Sequence, residues 1–301
     1  MLKYINDFVE KYEFPLEAIQ AVNESYDKLK KSPELESEFK DIIARYTKDI
    51  NADYNKILED SRECLQKADI PLRMSDLIVC ICLTKQLKEY YIKANIDLNL
   101  YDNLVKDILY KAHESKLNFG VWGIDVGWWF GRHFAMQLFA FEKLQFELKE
   151  FDKHFEGNGY VLNPGDLVIN IHLPRTGGKL DREGQLKAYA QASEFFADKL
   201  NGQKAVFRCH SWFLWPRLKE VIKPESNIGA FASDFDIVES GDFENYERWS
   251  WRLYDTRETD LDKLPQNTTL QRWFVQLFKQ GVYGGFSEGV FLYDNVKNKK
   301  C

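Results

Sequence analysis

Two histidines sit near the ends of two short apolar runs, DLVINIHLP (166–174) and KAVFRCHSWF (204–213). Successive side chains of a strand alternate between faces. If both runs are strands, Val168, Asn170 and His172 share one face of the first, and Val206, Arg208, His210 and Trp212 share one face of the second. Imidazole titrates near neutral pH, so His172 and His210 are candidates for general acid–base work. They are also compatible with a hydrogen-bonded structural role, because a buried polar group without a partner costs about 1–3 kcal/mol. Ser211 follows His210 directly and points to the other face, which speaks against a serine nucleophile activated by that histidine. A third run, NIGAFASDFDIV (227–238), reads as a strand with Asp234 and Asp236 on one face. His172, His210 and Asp234 are suitable zinc ligands by type, but no HxH or HExxH spacing accompanies them, so no metal is expected.

The second chemical signal is the loop PRTGGKLDREG (174–184). Arg175, Thr176, Gly177, Gly178, Lys179 and Arg182 lead into a helix beginning near Asp181. Backbone N–H groups and cations ahead of a helix N-terminus suit a phosphate or pyrophosphate. A turn with its charges in water is the alternative. The loop has neither GxGxxG nor GxxxxGK[ST], so Rossmann and P-loop nucleotide sites are not indicated.

The elements that must position these groups fall in two halves. Every glycine lies at or after Gly120, and all eight tryptophans lie at or after Trp122. A long glycine-free stretch argues against hairpins and for helices. Leu2, Ile5, Phe8 and Val9 follow a helical period, Pro15 starts a second helix, and Ser32-Pro33 reads as an N-cap with proline at the first helical position. Further helices are expected over 54–68, 74–94 and 101–117. After residue 142 the pattern changes. LQFELKEF (144–151) alternates like a half-buried strand, 181–200 reads as a helix capped by Asp181, LWPRLKEVI as a short helix, 268–281 as a helix near Thr268, and 286–294 as a last strand. Strand–helix–strand order implies parallel neighbours with helical crossovers, whose ligands bind at the strands' C-terminal ends. The aromatic segment 118–142, with Trp122, Trp128 and Trp129, reads as an interface helix between the halves. The expected fold class is α+β: a helical domain over 1–142, then a mixed-sheet domain over 143–301.

Composition bounds the partners. A chain of 301 residues with 45% hydrophobic and 29% charged residues is globular and about two domains long. Its net charge of -6 disfavours nucleic acid and anionic membranes as partners and suits a small-molecule enzyme. Five scattered cysteines without a CxxC pair read as reduced thiols. The N-terminus has no apolar signal core, and no run reaches the roughly 18 apolar residues of a membrane helix. A cytoplasmic location is expected. Nothing here specifies an oligomeric state.

The runs IHLPRTGG, HSWFLWP and LPQNTTLQRWFVQLFKQGVYGGFSEGVFLYD, with FEKLQFELKEF at the junction, resemble a two-domain bacterial acyltransferase family. The most specific strings are HSW-x-x-x-P (210–216) and L-P-x-x-T-x-L-Q-R (264–272). The family joins an N-acyltransferase N-terminal domain to a GNAT-like C-terminal domain, and the resemblance covers nearly the whole chain. It implies that acetyl-CoA or another acyl-CoA is the co-substrate, bound where two strands splay, with its pyrophosphate at the loop from Arg175 to Arg182. The family loop pattern is Q/R-x-x-G-x-G/A. Arg175 and Gly178 meet it, and Leu180 stands where it has Gly or Ala. It further implies transfer to a small-molecule amine, with His210 or His172 as base, Asp234 orienting it, and Tyr254, or Tyr283, as the acid for the departing thiolate. Asn170, Arg208 and Ser211 are then the candidate substrate contacts. A sensor that binds acyl-CoA without turnover is the competing reading, and a thioesterase-like hydrolase a third.

Overall fold

The computed structural model describes residues 1–175 and 178–293. The chain divides into two compact units, Met1–Phe139 and Ala140–Cys301.

The first unit is helical: α1 (Leu2–Lys11), α2 (Leu16–Lys30), α3 (Pro33–Lys48), α4 (Tyr54–Lys67), α5 (Leu72–Lys93), α6 (Leu98–Phe119) and the single turn α7 (Gly131–Phe134). Helix α5 is the hub. Every residue from Met74 to Thr84 is buried, so this helix is covered all round over that span and the others pack about it. The remaining helices bury one stripe each, as Ile5, Phe8 and Val9 do in α1. Asp53 caps α4 and Asp97 caps α6. Pro33 opens α3 as expected, but the Ser32 side chain makes no cap; its hydroxyl bonds Glu34 at 3.2 Å. Left-handed turns in this glycine-free stretch fall to Glu13, Asp69 and Asn95 instead.

The segment after Gly120 is not the continuous helix that was expected. It runs through a 3-10 turn (Gly127–Phe130) and α7, folded onto the helices of its own unit. Ile124 N donates to Arg73 O at 2.8 Å, and the Tyr54 hydroxyl donates to Gly127 O at 2.7 Å. Trp129 Nε1 donates to the buried Asp107 carboxylate at 3.1 Å. Glycines and tryptophans in a short span break helical continuity; Ile124, Phe130 and Phe134 enter the unit's own core, whereas Trp128 is 59% exposed.

The second unit contains β1 (Phe139–Phe141), which begins at the boundary, then β2 (Leu144–Glu150), β3 (Phe155–Gly157), β4 (Tyr160–Leu162), β5 (Leu167–His172), α8 (Arg182–Phe196), β6 (Val206–Ser211), α9 (Asn227–Ala232), β7 (Asp236–Asp242), α10 (Trp251–Tyr254), α11 (Thr269–Lys279) and β8 (Gly285–Leu292). Among the described residues the main sheet has strand order β1-β2-β5-β6-β8-β7, and β3-β4 is a separate hairpin. Strands β5 and β6 are parallel and joined through α8. The pairs β2–β5, β6–β8 and β7–β8 are antiparallel. The sheet is therefore mixed, and the expected parallel crossover holds only for β5–α8–β6.

The run 227–238 is a correction. It is helix α9 followed by a turn and the start of β7, not one strand. The Ser226 hydroxyl accepts from Gly229 N at 3.1 Å and starts the helix. A Cβ on Gly229 would lie 2.2 Å from Lys223 O, so only glycine allows this approach. The 3-10 turns at 212–214 and 216–220 replace the short helix expected in LWPRLKEVI.

Helix α8 covers one face of the sheet. Tyr189 packs on Phe207 and Phe291, with ring centroids 5.2 and 5.1 Å away. On the other face, Phe155 and Tyr160 of the hairpin pack against a cluster containing Val168, Val206 and Val290.

Candidate active site

That second face becomes polar toward the C-terminal ends of the parallel pair. Cross-strand register places Gln145 opposite His172, Glu147 opposite Asn170, Asn170 opposite Arg208, and His210 opposite Glu288. Residues in register share a face, so Gln145, Glu147, Asn170, His172, Arg208, His210 and Glu288 form one polar tract across β2, β5, β6 and β8. Much of it is buried: Glu147 is 2% exposed, Glu288 3% and Asn170 8%. Pairing between β5 and β6 ends at Ile171 and Cys209, and His172 and His210 follow immediately.

His172 Nε2 lies 2.7 Å from Glu147 Oε1 and 3.0 Å from Asn170 Nδ2. His210 packs its ring on Phe286 at 4.6 Å. Desolvation pushes the His210 imidazole below its ordinary range. Arg208 Nε donates to Glu288 Oε1 at 2.6 Å, and Lys153 Nζ donates to Glu288 Oε2 at 2.8 Å. Burial alone would raise the Glu288 carboxyl, but these two bonds and charges outweigh it and hold the group below the usual range. Lys153 also pairs with Glu239.

The residues singled out in the sequence thus divide. Asn170, His172, Arg208 and His210 come together on the polar face. Asp234 does not join them. It takes two bonds from Arg182, at 2.6 and 2.8 Å, and lies 3.4 Å from the Tyr189 hydroxyl. Tyr189 belongs to the α8 face, so Asp234 sits across the sheet from both histidines and cannot orient either. The misread strand is the reason: Asp234 lies in the turn after α9. The same placement separates the ligand types considered for zinc. Tyr254 is also displaced. It is 2% exposed inside an aromatic cluster with Trp249 and Phe278, and its hydroxyl donates to Gln271 O at 2.9 Å. Burial pushes that phenol well above its usual range. Ser211 accepts from Phe213 N at 3.1 Å and caps a 3-10 turn, on the face opposite His210.

In the loop, Arg175 Nε donates to Arg252 O at 3.0 Å and the guanidinium pairs with Asp255. Arg182 is committed to Asp234. Gly178 (φ +106) and Lys179 are exposed. Thr176 and Gly177 lie outside the described residues. Asp181 accepts from Gly184 N at 2.8 Å and caps α8. Lys143 Nζ reaches the Arg175 carbonyl at 3.3 Å, and burial, aided by Arg175, lowers its ammonium.

Glu147, Glu288, Lys153 and Lys143 were not singled out from sequence. Alternation in LQFELKEF put Gln145, Glu147 and Lys149 on one face, and that was the available signal for Glu147. Nothing local distinguished Glu288 in FSEGVFLYD. Among the described residues no group of three or more His, Cys, Asp or Glu side chains is arranged to hold a metal, and no helix is long and apolar enough to cross a membrane.

Comparison with known proteins follows the same division. Residues 3–136 match the N-acyltransferase N-terminal domain, and residues 138–291 match the GNAT-like C-terminal domain. No curated protein matches the chain. Among solved structures, an acyltransferase in complex with decanoyl-CoA is similar at TM-score 0.76 and 17% identity, covering 96% of this chain and 87% of that one. An acyltransferase in complex with decanoyl-CoA and teicoplanin gives TM-score 0.74 and 19% identity, again covering 96% and 87%. At such identities the likeness establishes the fold. The C-terminal match alone spans just over half of the sequence, and the chain therefore belongs to the family that joins an N-acyltransferase N-terminal domain to a GNAT-like C-terminal domain.

Proposed function

We propose that the protein transfers an acyl group from a CoA thioester to an amine. The observation that carries this reading is the end of β5–β6 pairing at Ile171 and Cys209, with His172 and His210 just beyond it on one polar face. The acyl carrier lies between the parting strands, and its thioester carbonyl reaches the histidines. The amine lone pair attacks the carbonyl carbon, an imidazole takes the amine proton, and the thiolate leaves and is protonated. Backbone amides at the strand ends stabilise the oxyanion. The pyrophosphate lies at residues 175–182, where Lys179 and the amides of the loop meet it.

Similar folds in complex with decanoyl-CoA make a medium-chain donor the first to try, and teicoplanin belongs in the acceptor panel. The commitment of Arg175 and Arg182 to Asp255 and Asp234 favours one alternative, an acyl-CoA-binding sensor with weakened chemistry. Thiol release from decanoyl-CoA separates the readings. Release that depends on an added primary amine, with amide product detected by mass, supports acyl transfer. Binding without release at any amine concentration supports the sensor, and release without amine supports a hydrolase.

A further inference from the structure

We propose that Arg208 binds a carboxylate on the acyl acceptor, so that the amine acylated by this protein belongs to an amino acid. The proposal rests on the acyl-transfer reading and names the acceptor class within it.

The guanidinium is arranged to take a second anion. Glu288 holds Arg208 through Nε alone, at 2.6 Å, because its other oxygen accepts from Lys153 Nζ at 2.8 Å. A guanidinium has five N–H donors in one plane, and four of them are on the two terminal nitrogens. Among the described residues none accepts from those nitrogens of Arg208. They open to solvent, since the side chain is 20% exposed and neither nitrogen is buried without a partner. Two parallel N–H groups match the two oxygens of a carboxylate.

The surroundings fix this guanidinium in place. Glu288 is 3% exposed on β8, opposite His210. Lys153 comes from the turn before β3, and Phe151 and Phe155 on either side of it pack in the apolar cluster under the hairpin. On β7 the register shifts between Ile237 and Glu239, which brings Glu239 opposite Glu288 and onto Lys153. Arg208 and Lys153 thus share one buried carboxylate, which leaves the inner cluster one positive charge in excess. Glu239 is 58% exposed, so water screens its share of that charge. A carboxylate arriving at Arg208 removes the excess in the shielded part of the site.

The face decides which substrate carries that carboxylate. Phe207 meets Tyr189 of α8, and Arg208, next along the strand, points away from that helix. The pyrophosphate proposed for the loop ahead of α8 therefore does not use Arg208. On its own face, His210 follows two residues on, roughly 6.6 Å along the strand. His172 follows in the same way after Asn170, the residue opposite Arg208. An acceptor held at Arg208 by its carboxylate meets the histidines with an amine only a few bonds away, and that is the layout of an amino acid.

Matched acceptors test the proposal with decanoyl-CoA as donor: glycine against methylamine, and L-phenylalanine against phenethylamine, compared per unprotonated amine. Each pair differs by the carboxylate alone. Wild type should favour the amino acid by about tenfold or more in kcat/KM, and Arg208→Gln should bring the ratio near one, chiefly through KM for the amino acid. Arg208→Lys keeps a cation beside Glu288, so it should melt close to wild type yet recover little of the ratio. Titration with N-decanoylglycine and N-methyldecanamide reads the same contact without turnover. The acid should bind wild type about tenfold more tightly, and Arg208→Gln should bind the two within about twofold. Equal kcat/KM for amino acid and amine in wild type, a ratio that survives in Arg208→Gln, or equal affinity of wild type for the two amides each overturn the proposal. If wild type releases no thiol with any amine, the acyl-transfer reading fails, and the two amide affinities then decide the carboxylate site on their own.

Discussion

Both terminal nitrogens of Arg182 bond Asp234, at 2.6 and 2.8 Å to its two oxygens. The pair ties the first residue of α8 to the turn between α9 and β7. The Asp234 side chain is 15% exposed, so removing Arg182 strands a carboxylate largely shielded from water. Arg182→Ala should cost roughly 1–3 kcal/mol in urea unfolding. Arg182→Lys should restore little of it, since a lysine cannot make the two-pronged contact. Unchanged stability in Arg182→Ala would return Arg182 to the phosphate loop as a free ligand.

Gly127 is a second structural dependency. A Cβ there would lie 2.2 Å from Asp76 Oδ2 and 3.2 Å from Arg62 Nη2. Asp76 is 1% exposed and takes two bonds from Arg62, each of 2.6 Å. Gly127→Ala must push this pair apart, at roughly 1–3 kcal/mol for overpacking alone. Gly120→Ala makes the useful comparison. Gly120 has φ +73 and open space around its would-be Cβ, so only backbone strain of about 1 kcal/mol is at stake. Denaturant midpoints should rank Gly127→Ala below Gly120→Ala, and the reverse order would mean that Asp76 yields easily.

What the sequence revealed followed the range of each physical signal. Helix α5 was legible because LIVCICL is an unbroken apolar run within a glycine-free stretch, a local fact. The histidines of β5 and β6 were legible because period-two alternation is local too. The segment 227–238 misled because its helix depends on Gly229 meeting Lys223 O, a contact no alternation count contains. That error carried Asp234 onto the wrong face. Glu147 stayed hidden for a different reason. A charged residue in an alternating strand is ordinarily read as facing water, and its burial becomes visible only when β5 is laid beside β2. Tyr254 was chosen for its residue type, and type cannot report that the hydroxyl is already given to Gln271 O.

Acid should weaken the helical unit through His133. This ring is 2% exposed, packs on Phe130, and stands 3.3 Å from Asp107. Burial pushes its imidazole below the ordinary range, and the Asp107 carboxylate only partly offsets that. The unfolded chain therefore takes up a proton first as pH falls. Stability from this group is complete above about pH 6.5 and declines as pH drops through that value. Asp107 acts in a separate window. Burial opposes its charge, yet Lys111, His133 and Trp129 hold its carboxyl down to about 2, so its contribution persists above about pH 4 and is lost toward pH 2. Unfolding midpoints of wild type should fall between pH 8 and 5, and the fall should be shallower in His133→Gln. Parallel slopes for the two proteins would remove His133 as the cause.

The loop offers a test of where the pyrophosphate binds. A cation that already holds a carboxylate must give it up before it can serve a phosphate, and the exchange gains little. Arg175 is held by Asp255 and the Arg252 carbonyl, whereas Lys179 is exposed. Lys179→Ala should therefore raise the Kd for decanoyl-CoA by about three- to tenfold at low salt, and less at high salt, as expected for a screened point charge. Arg175→Ala should act on both affinity and stability, because it also strips a partner from Asp255. Asp255→Asn separates the two effects. It removes the competing carboxylate while the bond to the Arg252 carbonyl stays, so decanoyl-CoA should bind more tightly while the melting temperature falls. Titration calorimetry on the three variants at matched ionic strength reads all of this directly. Three affinities equal to wild type would place the pyrophosphate away from residues 175–182, and the loop's glycines and lysine would then be no more than a turn in water.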